Sequence, residues 1–375
     1  MSSIPPPPIP DRWIAGKYEL LEIAGKGGMA VVWRARHHGP GSFQRTVAVK
    51  QMHLRLTRDK MYRDLFCEEA RVGSVLQDPN IAQIFDFVED DGQYYLVMEY
   101  VNGVDLATLI HWVVHQRQRK TQWEVVAAIG VGILRALVAA HERRTDDGTL
   151  DPIVHRDLSP TNVLINDKGM AKLIDFGLSF ARDRDIAATD PGVAKGKLAY
   201  LAPEIARGRR PSPASDQFTV GSVLWEALTG QRAFEGDTDF DTYQHVANAV
   251  VRPLSELRPD IPPELCRLVH KALAVDPTER FASTREMARE LGNVLEKRRT
   301  SEDLYSAIAR TVLATRQGLD IGERTQDPNI DEEVDDERSG MVELLVEGND
   351  PPRGFAKWLP SFMRKNEVTE RDSKV

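Results

Sequence analysis

Cysteine is nearly missing from this chain: Cys67 and Cys266 are the only two among 375 residues. So sparse and distant a pair supplies neither a disulfide framework nor a cysteine zinc site, so a reducing compartment is expected. An excess of positive charge is also missing, because 49 Lys+Arg against 57 Asp+Glu leave a formal net charge of -8. A chain-wide nucleic-acid footprint would need the opposite balance, so no nucleic acid is expected as partner. A long hydrophobic run is lacking too. The most apolar stretch starts at Val125, is broken by Arg135, and resumes to Ala140 before His141 and Glu142. A membrane span takes about 20 apolar residues, so a buried core helix, no transmembrane segment and a cytoplasmic location are expected. The N-terminal Met1-Ser-Ser-Ile-Pro-Pro-Pro-Pro-Ile-Pro10 has no basic region followed by an apolar run, so no secretory signal is expected. Its prolines favour an extended, solvated leader.

The patterning that is present divides the chain. Between Lys17 and Asp91, the β-branched and aromatic runs at Tyr18 to Ile23, Ala30 to Arg36, Thr46 to Met52 and Ile84 to Val88 alternate with turn residues. That is the pattern of antiparallel strands. One helical segment, Lys60 to Leu76, interrupts them before Asp78-Pro79-Asn80. From Leu106 to Leu295 the apolar period is mostly helical. The fold class expected is therefore α+β: a small β-rich lobe, then a larger helical lobe. The boundaries expected are a Pro-rich leader over 1–17, the small lobe over 18–101, the large lobe over 102–296 and an acidic tail over 297–375. In that tail, Asp303 to Gln317 suits one more helix, and six acids fall in the seven residues Asp331 to Glu337. Such acidic blocks stay solvated. Phe355, Trp358, Leu359, Phe362 and Met363 recur at helical spacing beside Lys357, Arg364 and Lys365, which suits a docking or membrane-surface helix.

Chemistry begins at Ala24-Gly25-Lys26-Gly27-Gly28-Met29-Ala30-Val31-Val32, just after a predicted strand. Glycines there let backbone N–H groups approach phosphate oxygens, although a glycine-rich turn also serves hairpins that bind nothing. In Val47-Ala48-Val49-Lys50 a single cation stands among apolar residues. A buried ammonium needs an anion or must lose its proton, and Glu69 in the following helical segment is the candidate. An edge-strand lysine and a solvated glutamate are the alternative for that pair.

His155-Arg156-Asp157-Leu158-Ser159-Pro160-Thr161-Asn162, Asp175-Phe176-Gly177 and Ala202-Pro203-Glu204 then follow in order. Asp157 to Asn162 is 5 residues (162 − 157), Asp157 to Asp175 is 18 (175 − 157), and Asp175 to Glu204 is 29 (204 − 175). Together with the glycine loop and Lys50, these runs resemble the protein-kinase signature set. The resemblance covers Tyr18 to Glu296 and is strongest to bacterial eukaryotic-like (Hanks-type) serine/threonine kinases, through the Gly-Gly-Met of the loop. It implies a two-lobed kinase fold that transfers the γ-phosphoryl group of ATP, with Mg²⁺, to Ser or Thr of protein substrates. A nucleotide-binding pseudokinase scaffold is the alternative.

The resemblance also implies roles. Lys50 holds the α and β phosphates and is oriented by Glu69; Asn162 and Asp175 hold Mg²⁺; Asp157 orients or deprotonates the substrate hydroxyl. Val32, Ala48 and Leu164 enclose adenine, Met98 limits the back pocket, and Glu99 to Val101 form the hinge. Asp105 falls where a ribose hydroxyl is met, or else is a helix N-cap. Asp216 braces the catalytic loop and Arg280 partners Glu204.

Three departures stand out. Ala30 replaces the last loop glycine, Ser159 stands where such kinases carry lysine, and Lys197 follows Gly196 where they carry threonine. The resemblance places those two side chains together beside Asp157, so in this reading cation and hydroxyl have changed places, with Lys197 serving Asp157 and the γ-phosphate and Ser159 supplying the hydroxyl; a solvated Lys197 on a slow or inactive enzyme is the alternative. Arg156 before the catalytic aspartate suits a phosphate reader, and Thr189 is the only hydroxyl residue between Phe180 and Lys197. Thr189 is therefore the expected regulatory phosphosite. The loop Arg144 to Pro152 reads as a surface hairpin around Asp147-Gly148. Partner docking through the tail and self-association for autophosphorylation in trans are the remaining expectations.

Overall fold

The computed structural model describes residues 13–176, 197–297 and 303–325. Strands β1 (Trp13–Ile14), β2 (Tyr18–Lys26), β3 (Ala30–His38), β4 (Gln44–Met52), β5 (Ile84–Asp90) and β6 (Gln93–Glu99) form one antiparallel sheet in the order β1-β2-β3-β4-β6-β5. In β4 the period of two sends Val47 and Val49 to one face and Ala48, Lys50 and Met52 to the other. All five are buried, because both faces are covered. Val47 and Val49 pack with Ile14, Tyr18, Leu20, Tyr95 and Val97, whereas Met52 packs with Leu96 and with Phe66 and Ala70 of helix α1 (Lys60–Ser74). Helix α1 starts where the Asp59 carboxylate accepts from Met61 N at 2.8 Å, the usual N-cap geometry. It buries Phe66, Glu69, Ala70 and Gly73, a stripe at helical spacing.

The sheet begins inside the stretch expected to be leader. Trp13 and Ile14 pair with Glu19 and Tyr18, and Ile14 is 1% exposed. Two residues show no period in the sequence, so only their tertiary pairing reveals them as a strand.

The second lobe is helical around a small sheet of β7 (Gly103–Asp105), β8 (Val163–Asn166) and β9 (Ala171–Leu173). Its described helices are α2 (Leu106–His111), α3 (Trp123–His141), α4 (Pro203–Ala206), α5 (Pro213–Thr229), α6 (Asp239–Asn248), α7 (Leu254–Leu257), α8 (Pro263–Ala272), α9 (Thr284–Lys297) and α10 (Leu304–Thr325). Helix α3 is the apolar stretch of the sequence. By length and composition it could cross a membrane, but here Leu134, Ala136, Leu137 and Ala140 are wholly buried at the centre of the lobe. Helices α5, α9 and α10 and strand β9 pack around it. The two-lobed α+β class expected from the sequence is thus the observed one.

Helix α10 runs 8 residues beyond the expected end at Gln317 (325 − 317), and it is docked on the large lobe. Ala307, Ile308, Val312 and Thr315 are buried, in contact with elements that include α2, α3, β7 and β8. Gly169 lies beneath it at φ +79, where a Cβ would stand 2.2 Å from the Tyr305 carbonyl oxygen. Arg316 Nη1 donates to Asn102 Oδ1 at 2.8 Å. The acidic block and the Phe355 to Met363 segment lie outside the described residues.

Candidate active site

The strand and the helix converge on one buried charge cluster. Lys50 Nζ donates to Glu69 Oε1 at 2.6 Å and to Asp175 Oδ1 at 2.8 Å, with the lysine side chain 9% exposed. Burial pulls the ammonium down, but the Asp175 and Glu69 carboxylates outweigh it and hold its pKa above the ordinary value. Glu69 is held the other way. Burial, with the Asp175 charge added, pushes its carboxyl up to about 7 against the pull of Lys50. Its second oxygen, Oε2, is buried without a hydrogen-bond donor. Two carboxylates around one ammonium leave negative charge in surplus, which suits a bound cation beside Asp175.

The catalytic-loop candidate runs along the other wall, braced from below by α5. Asp216, 2% exposed, accepts from His155 N at 2.8 Å and Arg156 N at 3.2 Å, and lies 2.8 Å from His141 Nε2. His155 is buried with its Nε2 3.0 Å from the Ile174 carbonyl, so that nitrogen carries the proton and donates. Burial keeps its imidazole below the ordinary pKa, and its ring packs 4.5 Å from Phe176. Asn162 Nδ2 donates to the Asp157 carbonyl at 2.7 Å and, weakly, to Asp157 Oδ2 at 3.4 Å. Ile174 N donates to the Asn162 carbonyl at 3.1 Å, which ties Asn162 to the residue before Asp175. Arg156 and Asp175 adopt φ of 70 and 61. Left-handed backbone at a residue with a Cβ costs on the order of 1–3 kcal/mol, and two of the seven described non-glycine residues with positive φ fall at this cluster.

Lys197 brings the turn 197–200 to the same point. Its Nζ donates to Asp157 Oδ1 at 2.8 Å and Oδ2 at 2.7 Å. The lysine side chain is 39% exposed and that of the aspartate 12%. Lys197 opens a helical turn, with Tyr200 N donating to its carbonyl at 3.2 Å. Tyr200 is anchored in turn: its hydroxyl donates to Glu226 Oε2, and its carbonyl accepts from Thr219 Oγ1 at 3.1 Å. The Ser159 hydroxyl is engaged differently from the expected meeting with Lys197. It lies 2.9 Å from Thr161 Oγ1, a local bond two residues away.

The glycine loop connects β2 to β3 with Gly25 opposite Val32 and Lys26 opposite Val31. Gly27 N donates to the Ala30 carbonyl at 2.9 Å. His53 Nε2 lies 2.8 Å from the Gly27 carbonyl, and Arg55 Nη2 donates to that of Gly28 at 3.2 Å. A Cβ on Gly28 would meet nothing within 4 Å, so neither packing nor a positive φ demands glycine there. Ala24, exposed, enters the loop, and Met29 accepts from His53 N at 3.0 Å. Ala48 stands opposite Met98 in the sheet, and Leu164 opposite Asp105 in the small one. Glu99 turns its carboxylate to Lys172 Nζ at 2.9 Å, just before Val101 and the second lobe. Asp105 caps α2: its two carboxylate oxygens accept from Thr108 N and Thr108 Oγ1, each at 2.8 Å. Of the two readings of Asp105, the cap is the one observed. Thr189, Gly177 and Gly196 lie outside the described residues.

Several contacts escape sequence reasoning. The Glu68–Arg71 pair of α1 is one: hydrogen bonding to Arg71 holds the Glu68 carboxyl below its ordinary range, and the Arg156 charge adds to this. The Tyr200–Glu226 anchor and the His53 and Arg55 tethers are others. No spacing rule links these positions; only the fold does. The Glu204–Arg280 pair, by contrast, is where the resemblance implied it, bidentate at 2.8 Å on both arms and buried. Burial raises the Glu204 carboxyl, yet hydrogen bonding and charge from Arg280 hold it below its ordinary value.

A sheet lobe and a helical lobe with a lysine–glutamate pair on one wall and a braced aspartate on the other are the arrangement of the protein-kinase class. The protein kinase domain model matches residues 18–291, and the chain belongs to that family. It is similar to the tyrosine-protein kinase MasK of Myxococcus xanthus, 35% identical over 282 residues, 75% of this chain and 43% of that one. It is also similar to the serine/threonine-protein kinase PknB of Mycolicibacterium smegmatis, 34% identical over 322 residues, 84% of this chain and 49% of that one. The chain therefore spans less than half the length of these curated relatives. Among solved structures, the kinase domain of Mycobacterium tuberculosis PknI matches with a TM-score of 0.56 and 26% identity, over 76% of this chain and 98% of that chain.

Proposed function

We propose that this chain transfers the γ-phosphoryl group of ATP to Ser or Thr hydroxyls of proteins. The observation that carries this reading is the continuous array of Glu69, Lys50 and Asp175 beside Asp157 and Asn162. A scaffold that only binds nucleotide has no need of an aspartate held at the mouth by three separate contacts. Lys50 neutralises the α and β phosphates, and the glycine loop closes over them. Asn162 and Asp175 offer the hard oxygen donors that Mg²⁺ prefers, the remaining positions being left to phosphate and water. When bound, Mg²⁺ supplies neutralisation of the charge that develops between the β and γ oxygens. The substrate oxygen attacks the γ phosphorus, the bond to the β–γ bridging oxygen breaks, ADP leaves, and the hydroxyl proton passes to Asp157. Transfer is in line, so Asp157 orients the attacking oxygen as much as it accepts its proton.

The name of the Myxococcus relative, together with serine in place of lysine at 159, gives Tyr hydroxyls as a second acceptor class. In the same reading Thr189 is the activating phosphosite, Asp105 meets the ribose as well as capping α2, and the lobes divide at 101/102. The tail from 297 docks partners, two chains associate for autophosphorylation, and the domain works where ATP is supplied, in the cytoplasm. Radiolabelled ATP with a generic basic protein and the chain itself as acceptors tests the core of this. Label should reach hydroxyl residues identified by phosphoamino-acid analysis, and Asp157→Asn should abolish it. Nucleotide binding without transfer by the unaltered chain would favour the scaffold.

A further inference from the structure

We propose that Lys197 is the positioning cation of Asp157, so that the turn 197–200, not the catalytic loop, delivers the charge on which phosphoryl transfer depends. This rests on reading Asp157 as the group that orients the substrate hydroxyl. An aspartate that must work beside a triphosphate is repelled by it, and a nearby ammonium offsets that repulsion. The catalytic loop from Asp157 to Asn162 reads Asp-Leu-Ser-Pro-Thr-Asn and contains no cation. Its serine is already tied to Thr161. Lys197 instead grips both Asp157 oxygens, from a segment 40 residues downstream.

The grip is held by a chain of contacts rather than by a free side chain. Lys197 is bonded through its carbonyl to Tyr200, and Tyr200 is bonded to Glu226 and Thr219 of α5. Helix α5 also carries Asp216, which braces the backbone of His155 and Arg156. One rigid helix thus sets both the loop that bears the aspartate and the turn that bears its lysine. Displacing the turn withdraws the cation without touching nucleotide contacts at Lys50. Control of the segment becomes control of kcat.

The test uses the full chain, with kcat, the ATP KM and nucleotide affinity measured separately. The variants are Lys197→Ala, Lys197→Arg, Lys197→Thr, Ser159→Lys with Lys197→Thr, Tyr200→Phe and Asp157→Asn. Loss of a group acting only on transfer costs about 100-fold in kcat, and that is expected for Lys197→Ala, with ATP affinity within about threefold. Lys197→Arg keeps most of the activity. Moving the lysine to position 159 in the double variant recovers at least about tenfold over Lys197→Thr alone, a coupling that additive effects do not produce. Tyr200→Phe lowers kcat at an unchanged ATP KM. Lys197→Ala within twofold of the unaltered chain, or a double variant no better than Lys197→Thr, overturns the proposal. If instead Asp157→Asn keeps full activity, it is the reading of Asp157 that fails.

Discussion

Two lysines reach carboxylates on opposite walls of the cleft, and their settings differ. Lys50 stands mid-strand, buried, with β3 and β6 pairing on either side of it and two carboxylates on its ammonium. Lys197 stands on a helical turn, more than a third exposed, with the two oxygens of one carboxylate. The first pair is built into the folding of the small lobe; the second forms only when a segment of the large lobe is seated. Buried pairs punish the loss of one partner, because the other is left charged and unsolvated. Exposed pairs contribute little to stability. One lysine therefore reports on whether the domain is folded and the other on whether it is poised.

Changes at buried pairs should accordingly register as stability, and changes at the exposed pair as turnover. The largest effect is expected at Arg280→Ala, which strands the buried Glu204: a loss of about 3–5 kcal/mol, read from the urea midpoint. Next comes truncation after Lys297, which removes α10 from the large lobe. Each fully buried Ile or Val side chain contributes roughly 1.5–3 kcal/mol, so losing Ile308 and Val312 should lower stability by about 3 kcal/mol in the same assay. An unchanged midpoint would mean that α10 is not held on the lobe. Lys50→Met should abolish ATP binding in a fluorescence titration at a smaller cost in stability, since Glu69 already binds its proton more tightly than usual and can become neutral. The smallest stability change is expected at Lys197→Ala, within about 0.5 kcal/mol, despite its large effect on kcat.

The response to pH separates the two regions further. The Glu204 carboxyl and the His155 imidazole both have folded pKa values below their ordinary 4.5 and 6.5. Each binds protons more readily when unfolded, so its share of stability is present above the ordinary value and is lost as pH falls through the folded one. Glu69, raised from 4.5 to about 7, has the opposite sign: its share is present below about pH 4.5 and is lost as pH rises through 7. In Glu69→Gln, where that share is absent, urea midpoints should fall below about pH 6.5 as His155 begins to charge in the unfolded chain, and fall again below about pH 4.5. Arg280→Ala should flatten the second decline. A Glu69→Gln midpoint independent of pH between 4 and 7 would contradict both assignments.

What was legible in the sequence follows the same division. A lone cation in an apolar strand demands an anion, so residue types alone made Glu69 a candidate partner for Lys50, and the resemblance turned the candidate into an expectation. The Asp216 brace and the Glu204–Arg280 pair followed from the kinase motifs, whose order and spacing were enough. The docked α10 was half legible: its apolar spacing was visible, but its fit over Gly169 and toward Asn102 depends on surfaces made by distant residues. Strand β1 was too short to show a period. Ser159 found a partner two residues away, because a local hydroxyl bond costs less ordering than a bond across the cleft. Lys197 could be placed near Asp157 from the exchange of residue types, yet its anchor through Tyr200 to Glu226 could not.

The positioning role of Lys197 is tested most directly by single-turnover transfer of radiolabelled phosphate by the unaltered chain and by Lys197→Ala, with both saturated by ATP and both shown to be folded. Equal nucleotide occupancy is expected, with a transfer rate lower by about 100-fold in the variant. Equal rates would contradict that role.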